Sequence, residues 1–211
     1  AYRQTRRAFQ IAYEYQIPSI ILYDQKNGGE LQNVPASVFD EEPNPTEAEL
    51  EDASHDPSGK FNRFQHDAED DVSPRSIPGQ EGGRYLATGN EHMPAGHISE
   101  SPDNRVKQVN RRMSKMGTIR AALAADDGER NVHHGPEDAE YGIMTFGSQQ
   151  GTAAEAVDQL NAEGESVKLL GVSELAPYPV DEVTEFIGSV DEVLVVEMNA
   201  SAQFRGLTQK E

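Results

Sequence analysis

Residues 141–151 read YGIMTFGSQQG, an apolar run followed by a turn with two glycines and then a helical pattern. A strand, a glycine turn and a helix in that order can direct backbone N–H groups at a phosphate. The turn from Gly147 to Gly151 lacks the third glycine of a dinucleotide fingerprint, and it lacks the Lys-Ser/Thr pair of a nucleoside triphosphate loop. Thr152 and Glu155 have the spacing of a capping box, which would satisfy two helix donors and bring negative charge to the position of a phosphate. The phosphate reading therefore fails, and the turn is expected to be scaffold. His92 and His97 are separated by a Pro and a Gly, and His133 and His134 are adjacent. Neither pair presents a fixed helical face or has a carboxylate at a ligand spacing, so loop histidines without a metal are expected. No G-x-S-x-G elbow and no catalytic triad is legible. Asp24 follows an apolar run, at the kind of strand exit where ligands of open α/β sheets gather, and is the one candidate for cofactor contact. A turn-forming Asp is the alternative. Glu197 and Asn199, with Gln203 beyond them, follow the last apolar run and are candidates for a subunit interface. No residue is assigned to catalysis or to a metal.

The elements that would position these groups are unevenly spread. Residues 1–16 place Ala8, Ile11, Ala12 and Tyr15 on one helical face before Pro18 blocks continuation. Residues 19–23, SIILY, suit a buried parallel strand. One helix and one strand do not make a domain, so the chain looks cut from inside a larger α/β domain. Residues 24–71 have loop composition, and a loop of that length is expected to wrap a neighbouring subunit or to be partly disordered. Residues 72–101 are expected to form an extended excursion with a hairpin and one short strand at 84–88. A helix is expected over 102–125, with an apolar stripe of Val106, Val109, Met113, Met116, Ile119 and Leu123. Its other face carries Arg105, Lys107, Arg111, Arg112, Lys115 and Arg120, read as a solvated face pairing with acidic neighbours. After a linker at 126–138, strands at 141–146, 167–172 and 192–196 alternate with helices at 152–162 and 180–187, which implies βαβ units and a parallel sheet. A last helix begins near Ala202 and meets no stop signal, so this end also looks truncated.

Composition excludes several classes. The 37 Asp and Glu outnumber 18 Lys and Arg, for a formal charge of -19, which repels nucleic acids and anionic membrane surfaces. Arg outnumbers Lys twelve to six and the acid excess runs through folded segments, a halophile-type surface; an ordinary acidic mesophile protein is the alternative. Without cysteine there is neither a disulfide nor a thiolate-bound zinc or iron–sulfur cluster. No membrane span or signal peptide is legible, so a cytoplasmic location is expected.

Several stretches carry a resemblance. PSIILYD, SPRSIPGQEGGRYLATGNEHMPAGHIS, VNRRMSKM, IMTFGSQQGTAAEAVDQLNAEG and VLVVEMNASAQ together resemble the C-terminal portion of 2-oxoacid:ferredoxin oxidoreductase α subunits, of halophilic archaeal type. The middle stretch is the most specific. The resemblance implies an α/β chain: residues 1–35 end a thiamine diphosphate pyrimidine-type domain, and 36–101 form an acidic linker and extended hairpin region. Residues 102–137 form an amphipathic helix and linker, and 138–211 a transketolase C-terminal-like parallel α/β domain. It also implies thiamine-dependent oxidative decarboxylation of a 2-oxo acid such as pyruvate or 2-oxoglutarate, yielding acyl-coenzyme A and reduced ferredoxin. Thiamine diphosphate with Mg2+ and a 4Fe–4S cluster belong to the full heterodimeric complex, the cluster to the β subunit, and none to this chain alone. The family's activating glutamate and its substrate-binding Thr and Arg motifs fall upstream of Ala1, so no catalytic residue is transferred and the isolated chain is expected to be inactive. Ala202 stands where the family pattern has Gly, which puts a positive φ in question there. The alternatives are a transketolase-like or 2-oxoacid dehydrogenase β-type subunit, and a non-catalytic assembly domain.

Overall fold

A computed structural model describes residues 2–39, 55–65, 71–125 and 131–211. The elements in chain order are α1 (Tyr2–Glu14), α2 (Gln25–Gly29), a 3-10 turn (Ala36–Phe39), α3 (Pro102–Ala125), β1 (Val132–His134), β2 (Tyr141–Phe146), α4 (Gln149–Ala162), β3 (Val167–Val172), α5 (Val180–Gly188), β4 (Glu192–Val196) and α6 (Gln203–Lys210). They fall into two units, one built on Ile21–Val38 and Ala122–Glu211, the other on Tyr2–Ile20 and Phe39–Ala121.

The first unit holds a four-stranded sheet in the order β1-β3-β2-β4. β3, β2 and β4 are parallel, and β1 pairs antiparallel to β3. Continuous apolar runs in β2 and β3 mean that both faces are covered, as a parallel sheet requires. The two-residue side-chain period divides them. Met144, Leu170 and Val172 pack with Val183, Phe186 and Phe204 of α5 and α6, whereas Ile143, Val167 and Leu169 pack with Ala153 and Val157 of α4. Gly142 admits this packing, because a Cβ there would lie 2.9 Å from the Phe186 ring. The expected mixed α/β architecture with a largely parallel sheet is observed.

Four expectations need correction here. α4 begins at Gln149, so Thr152 and Glu155 lie inside the helix and form no capping box. Gly147, at φ 66°, reverses the chain at once, and Glu155 instead accepts from Gln159 at 3.3 Å. β1 arises within the expected linker; three residues at a sheet edge carry no readable period. Residues 19–23 are not a strand: among the described residues no ladder partner opposes them, and Ile20 and Leu22 are 82 % and 75 % exposed. The short α2 also replaces expected loop, nucleated by Asp24 as its N-cap.

In the second unit α1 forms as expected, ending before Pro18. No strand forms at 84–88. Two isolated bridges, His55↔Phe61 and His92↔Ile98, organise these loops, and the Phe61 N–H donates to the Arg84 carbonyl at 2.9 Å. Gly96 at φ 88° is indispensable, since a Cβ there would fall 1.7 Å from the Leu86 carbonyl oxygen.

α3 has the expected length, but its amphipathicity is inverted over its first half. Gln108 and Lys115 are buried, whereas Val106 and Met113 are 58 % and 70 % exposed. The cause is the loop-rich neighbourhood, whose backbone carbonyls need donors. Gln108 donates to the Phe64 and His92 carbonyls at 3.0 and 3.2 Å, Arg111 to the Gln65 carbonyl at 2.5 Å, and Lys115 to the Tyr15 carbonyl at 3.0 Å. Arg111 and Lys115 are thus internal donors rather than members of a solvated face. Arg112 does pair with an acid, reaching both Glu91 oxygens at 3.0 and 2.9 Å. Only the later residues of the stripe, Ile119 and Leu123, are buried as expected.

Residues 40–54 and 66–70 of the long expected loop and 126–130 of the later linker lie outside the described residues. Among the described residues no helix is long and apolar enough to cross a membrane.

Candidate functional site

In open α/β sheets ligands bind outside the carboxyl ends of strands where successive crossovers depart in opposite directions. Here that point lies between β2 and β4. The chain leaves β2 over α4 to β3, then returns over α5 to β4 on the other side of β2. Thr145 opposes Val196 in the ladder and donates its hydroxyl to the Val196 carbonyl at 2.7 Å, so the two strands release their loops at the same level. Gly147 and Ser148 follow one strand, and Glu197 and Asn199 the other.

The Gly147–Ser148 turn already holds an anion, the carboxylate of Asp24. Ser148 donates its hydroxyl to Asp24 Oδ2, and the Asn27 N–H donates to Oδ1 at 3.0 Å. A Cβ on Gly147 would lie 3.9 Å from Oδ2, so the carboxylate stands over the positive-φ turn. The Ser148 hydroxyl and then the Asn27 N–H hold the Asp24 carboxyl below the usual aspartate range, against a small opposing effect of burial. The capping box cited above against a phosphate does not exist; what meets an incoming phosphate at this turn is the protein's own carboxylate. Ser148 was missed because a single serine in a turn carries no sequence signal of a partner 124 positions away.

Glu197, Asn199 and Gln203 converge on the start of α6. Glu197 Oε2 accepts from the Phe204 N–H at 2.8 Å and from Asn199 Nδ2 at 2.5 Å, and Oε1 accepts from the Arg205 N–H at 3.2 Å. Asn199 Oδ1 accepts from the Gln203 N–H at 3.0 Å. Together they satisfy helix N-terminal donors that otherwise lack partners. Burial disfavours the Glu197 charge, yet these hydrogen bonds outweigh it and hold the carboxyl below its ordinary value. Ala202 precedes the helix at φ 51°, ψ 51°, so the left-handed conformation is kept without glycine.

The histidines have other partners. His92 stacks on Phe64 with centroids 4.3 Å apart, and His97 meets Lys60 Nζ at 3.1 Å. His133 and His134 leave β1 on opposite faces to meet Glu182 and Asp158, each at 2.7 Å. Among the described residues no group of three or more His, Cys, Asp or Glu gathers as metal ligands. Chemically, these carboxylates are engaged acceptors, suited to fixing turns and not to abstracting protons.

Residues 139–211, from just before β2 through α6, match the family described as pyruvate:ferredoxin oxidoreductase core domain II. The 2-oxoacid:ferredoxin oxidoreductase 1 subunit alpha of Aeropyrum pernix is 30 % identical over 96 % of this chain and 31 % of its own length. The chain is a relative of the 2-oxoacid:ferredoxin oxidoreductase α subunits. A second Aeropyrum pernix α subunit is 29 % identical over 96 % of this chain and 30 % of its own length. The 2-oxoglutarate synthase subunit KorA of Methanothermobacter marburgensis is 27 % identical over 95 % of this chain and 50 % of its own. Among solved structures, 2-oxoglutarate:ferredoxin oxidoreductase from Magnetococcus marinus, with 2-oxoglutarate, coenzyme A and succinyl-CoA bound, superimposes with a TM-score of 0.64 at 31 % identity, over 75 % of this chain and 27 % of that one. The chain thus spans about a third of the Aeropyrum pernix relatives it matches.

Proposed function

We propose that this chain is the C-terminal portion of the α subunit of a 2-oxoacid:ferredoxin oxidoreductase, supplying framework and subunit contacts to a complex that converts a 2-oxo acid and coenzyme A to acyl-coenzyme A. The likeness over 96 % of its length to α subunits of that name carries the reading. The exposed run at 19–23 supports assigning 1–35 to the end of a thiamine diphosphate domain, since a continuous apolar run left exposed here suits a place covered by further polypeptide. Outward-facing Val106, Val109 and Met113 on α3 are apolar surface suited to a companion polypeptide. We assign the Glu197, Asn199 and Gln203 turn to subunit contact. Asp24 acts by shaping the Gly147 turn.

The implied cofactors do not fit this chain's residues. A 4Fe–4S cluster needs thiolates, and the sequence has no cysteine. The Gly147 turn, filled by Asp24, has no room in its donor set for a diphosphate. Thiamine diphosphate, Mg2+ and the cluster are accordingly assigned to other polypeptide, including a β subunit, with ferredoxin as electron acceptor. The charge of -19 supports a high-salt, halophilic setting. Coexpression with the remainder of the α subunit and a β subunit tests this: the complex should reduce viologen only with both 2-oxo acid and coenzyme A, and the absence of association would refute the reading.

A further inference from the structure

We propose that Asn27 and Gly28 form a spontaneous modification site, where the asparagine deamidates through a succinimide to isoaspartate and so loosens the hold on the Asp24 carboxylate. They are the only Asn-Gly pair in the sequence. The peptide nitrogen that follows an asparagine can attack its side-chain amide, and glycine, having no Cβ, leaves that nitrogen open to approach. Four other asparagine amides are held in place. Asn104 donates to the His92 carbonyl at 2.8 Å, Asn131 to Glu182 at 2.7 Å, Asn161 to the Val167 carbonyl at 2.9 Å and Asn199 to Glu197 at 2.5 Å. The Asn27 amide bonds nothing among the described residues, where only its backbone N–H is engaged.

The surroundings let the reaction proceed. The Gly28 N–H donates to the Asp24 carbonyl at 3.0 Å, which must open before the nitrogen can react. α2 is a five-residue helix with two glycines and no buried residue. Such a turn opens readily, because a short helix gains little for the backbone it fixes and no burial opposes its opening. The freed Gly28 nitrogen then bonds to Asn27 Cγ and gives up its proton, while the amide nitrogen leaves as ammonia. Water opens the resulting ring at either carbonyl, giving aspartate or isoaspartate, and no other reactant is needed. Aspartate keeps the main chain as it was. Isoaspartate routes it through the side chain, adding a methylene inside α2. That breaks the spacing on which the Gly28 to Asp24 and Glu30 to Lys26 hydrogen bonds depend, each at 3.0 Å. The Asn27 N–H that holds Asp24 Oδ1 at 3.0 Å loses its place with them, leaving the Ser148 hydroxyl on Oδ2.

The test is incubation of the full 211-residue chain at mildly alkaline pH, followed over time by peptide mass mapping, isoaspartyl methyltransferase labelling and melting temperature. Asn27 should convert about tenfold or more faster than any other asparagine, because it alone precedes glycine. The melting temperature should fall as isoaspartate accumulates. Asn27→Gln keeps the backbone donor to Asp24 but moves the amide carbon out of easy reach, so it should fold, take no label at 27 and hold its melting temperature over the same period. It is a cleaner control than Gly28→Ala, whose Cβ would lie 2.9 Å from the Tyr23 ring. Asn27→Asp carries the other product and should melt with the fresh chain. Conversion at Asn27 no faster than elsewhere, isoaspartate without any fall in melting temperature, or Asn27→Asp melting as low as the aged chain overturns the proposal. None of these readouts uses enzyme activity, so failure here leaves the functional reading standing.

Discussion

Ser148 donates its hydroxyl to the carboxylate of Asp24, joining positions 124 residues apart at the carboxyl end of β2. The contact decides what the glycine turn is for: it holds a strand-exit segment by an internal anion. Asp24→Asn and Ser148→Ala should each lower the melting temperature, and the double variant should lose less than the sum, because both remove the same bond. Additive losses would show that the contact is not formed. Since the Asp24 carboxyl is lowered in the folded state, its contribution is complete above the usual aspartate value of about 3.9 and disappears as pH falls through the lower folded value.

Ala202 holds φ 51° at the entrance to α6. A left-handed alanine costs about 1–2 kcal/mol. Part of that relief is lost to the greater freedom of glycine in the unfolded chain, so Ala202→Gly should stabilise the unit by about 0.5–1 kcal/mol in urea titration. A destabilising result would contradict the described backbone.

Glu197→Ala should cost about 1 kcal/mol and fray α6, as loss of an N-terminal cap does. Far-UV circular dichroism should register the fraying, with Phe204, buried beneath, losing its cover. Its carboxyl is lowered on folding, so this stability is present above the ordinary glutamate value of about 4.3 and is lost as pH falls through the folded value.

The inverted face of α3 predicts an unusual pair of outcomes. Lys115→Ala, which removes the donor to the Tyr15 carbonyl, should destabilise by about 1–3 kcal/mol. Met113→Ala, at an apolar position of the same helix, should stay within about 0.5 kcal/mol. The opposite ranking would restore the stripe expected from periodicity.

The sequence made legible what local period and composition control. The three parallel strands were read with their observed bounds, because a largely apolar run of five or six residues with polar or glycine residues at its ends admits little else. Helix length in α3 was legible for the same reason. Its orientation was not, because the period says only that one face is apolar, and the neighbouring loops, short of their own donors, recruited Gln108, Arg111 and Lys115 instead. Residues 19–23 show the converse, a strand pattern without a ladder partner among the described residues. At the candidate site, the positions of Asp24 and Glu197 at strand exits were readable, but their partners depend on register and on contacts distant in sequence. The Thr152 capping box failed because a single positive-φ residue, Gly147, moved the helix start three positions upstream.

The most direct test of the account is viologen reduction by the purified 211-residue chain supplied with a 2-oxo acid, coenzyme A, thiamine diphosphate and Mg2+, alone and after assembly with the rest of the α subunit and an iron–sulfur-bearing β subunit. The chain alone should give no turnover, and the assembly should give turnover that requires both substrates. Turnover by the isolated chain, or an active enzyme from which these residues can be deleted without loss, would contradict it.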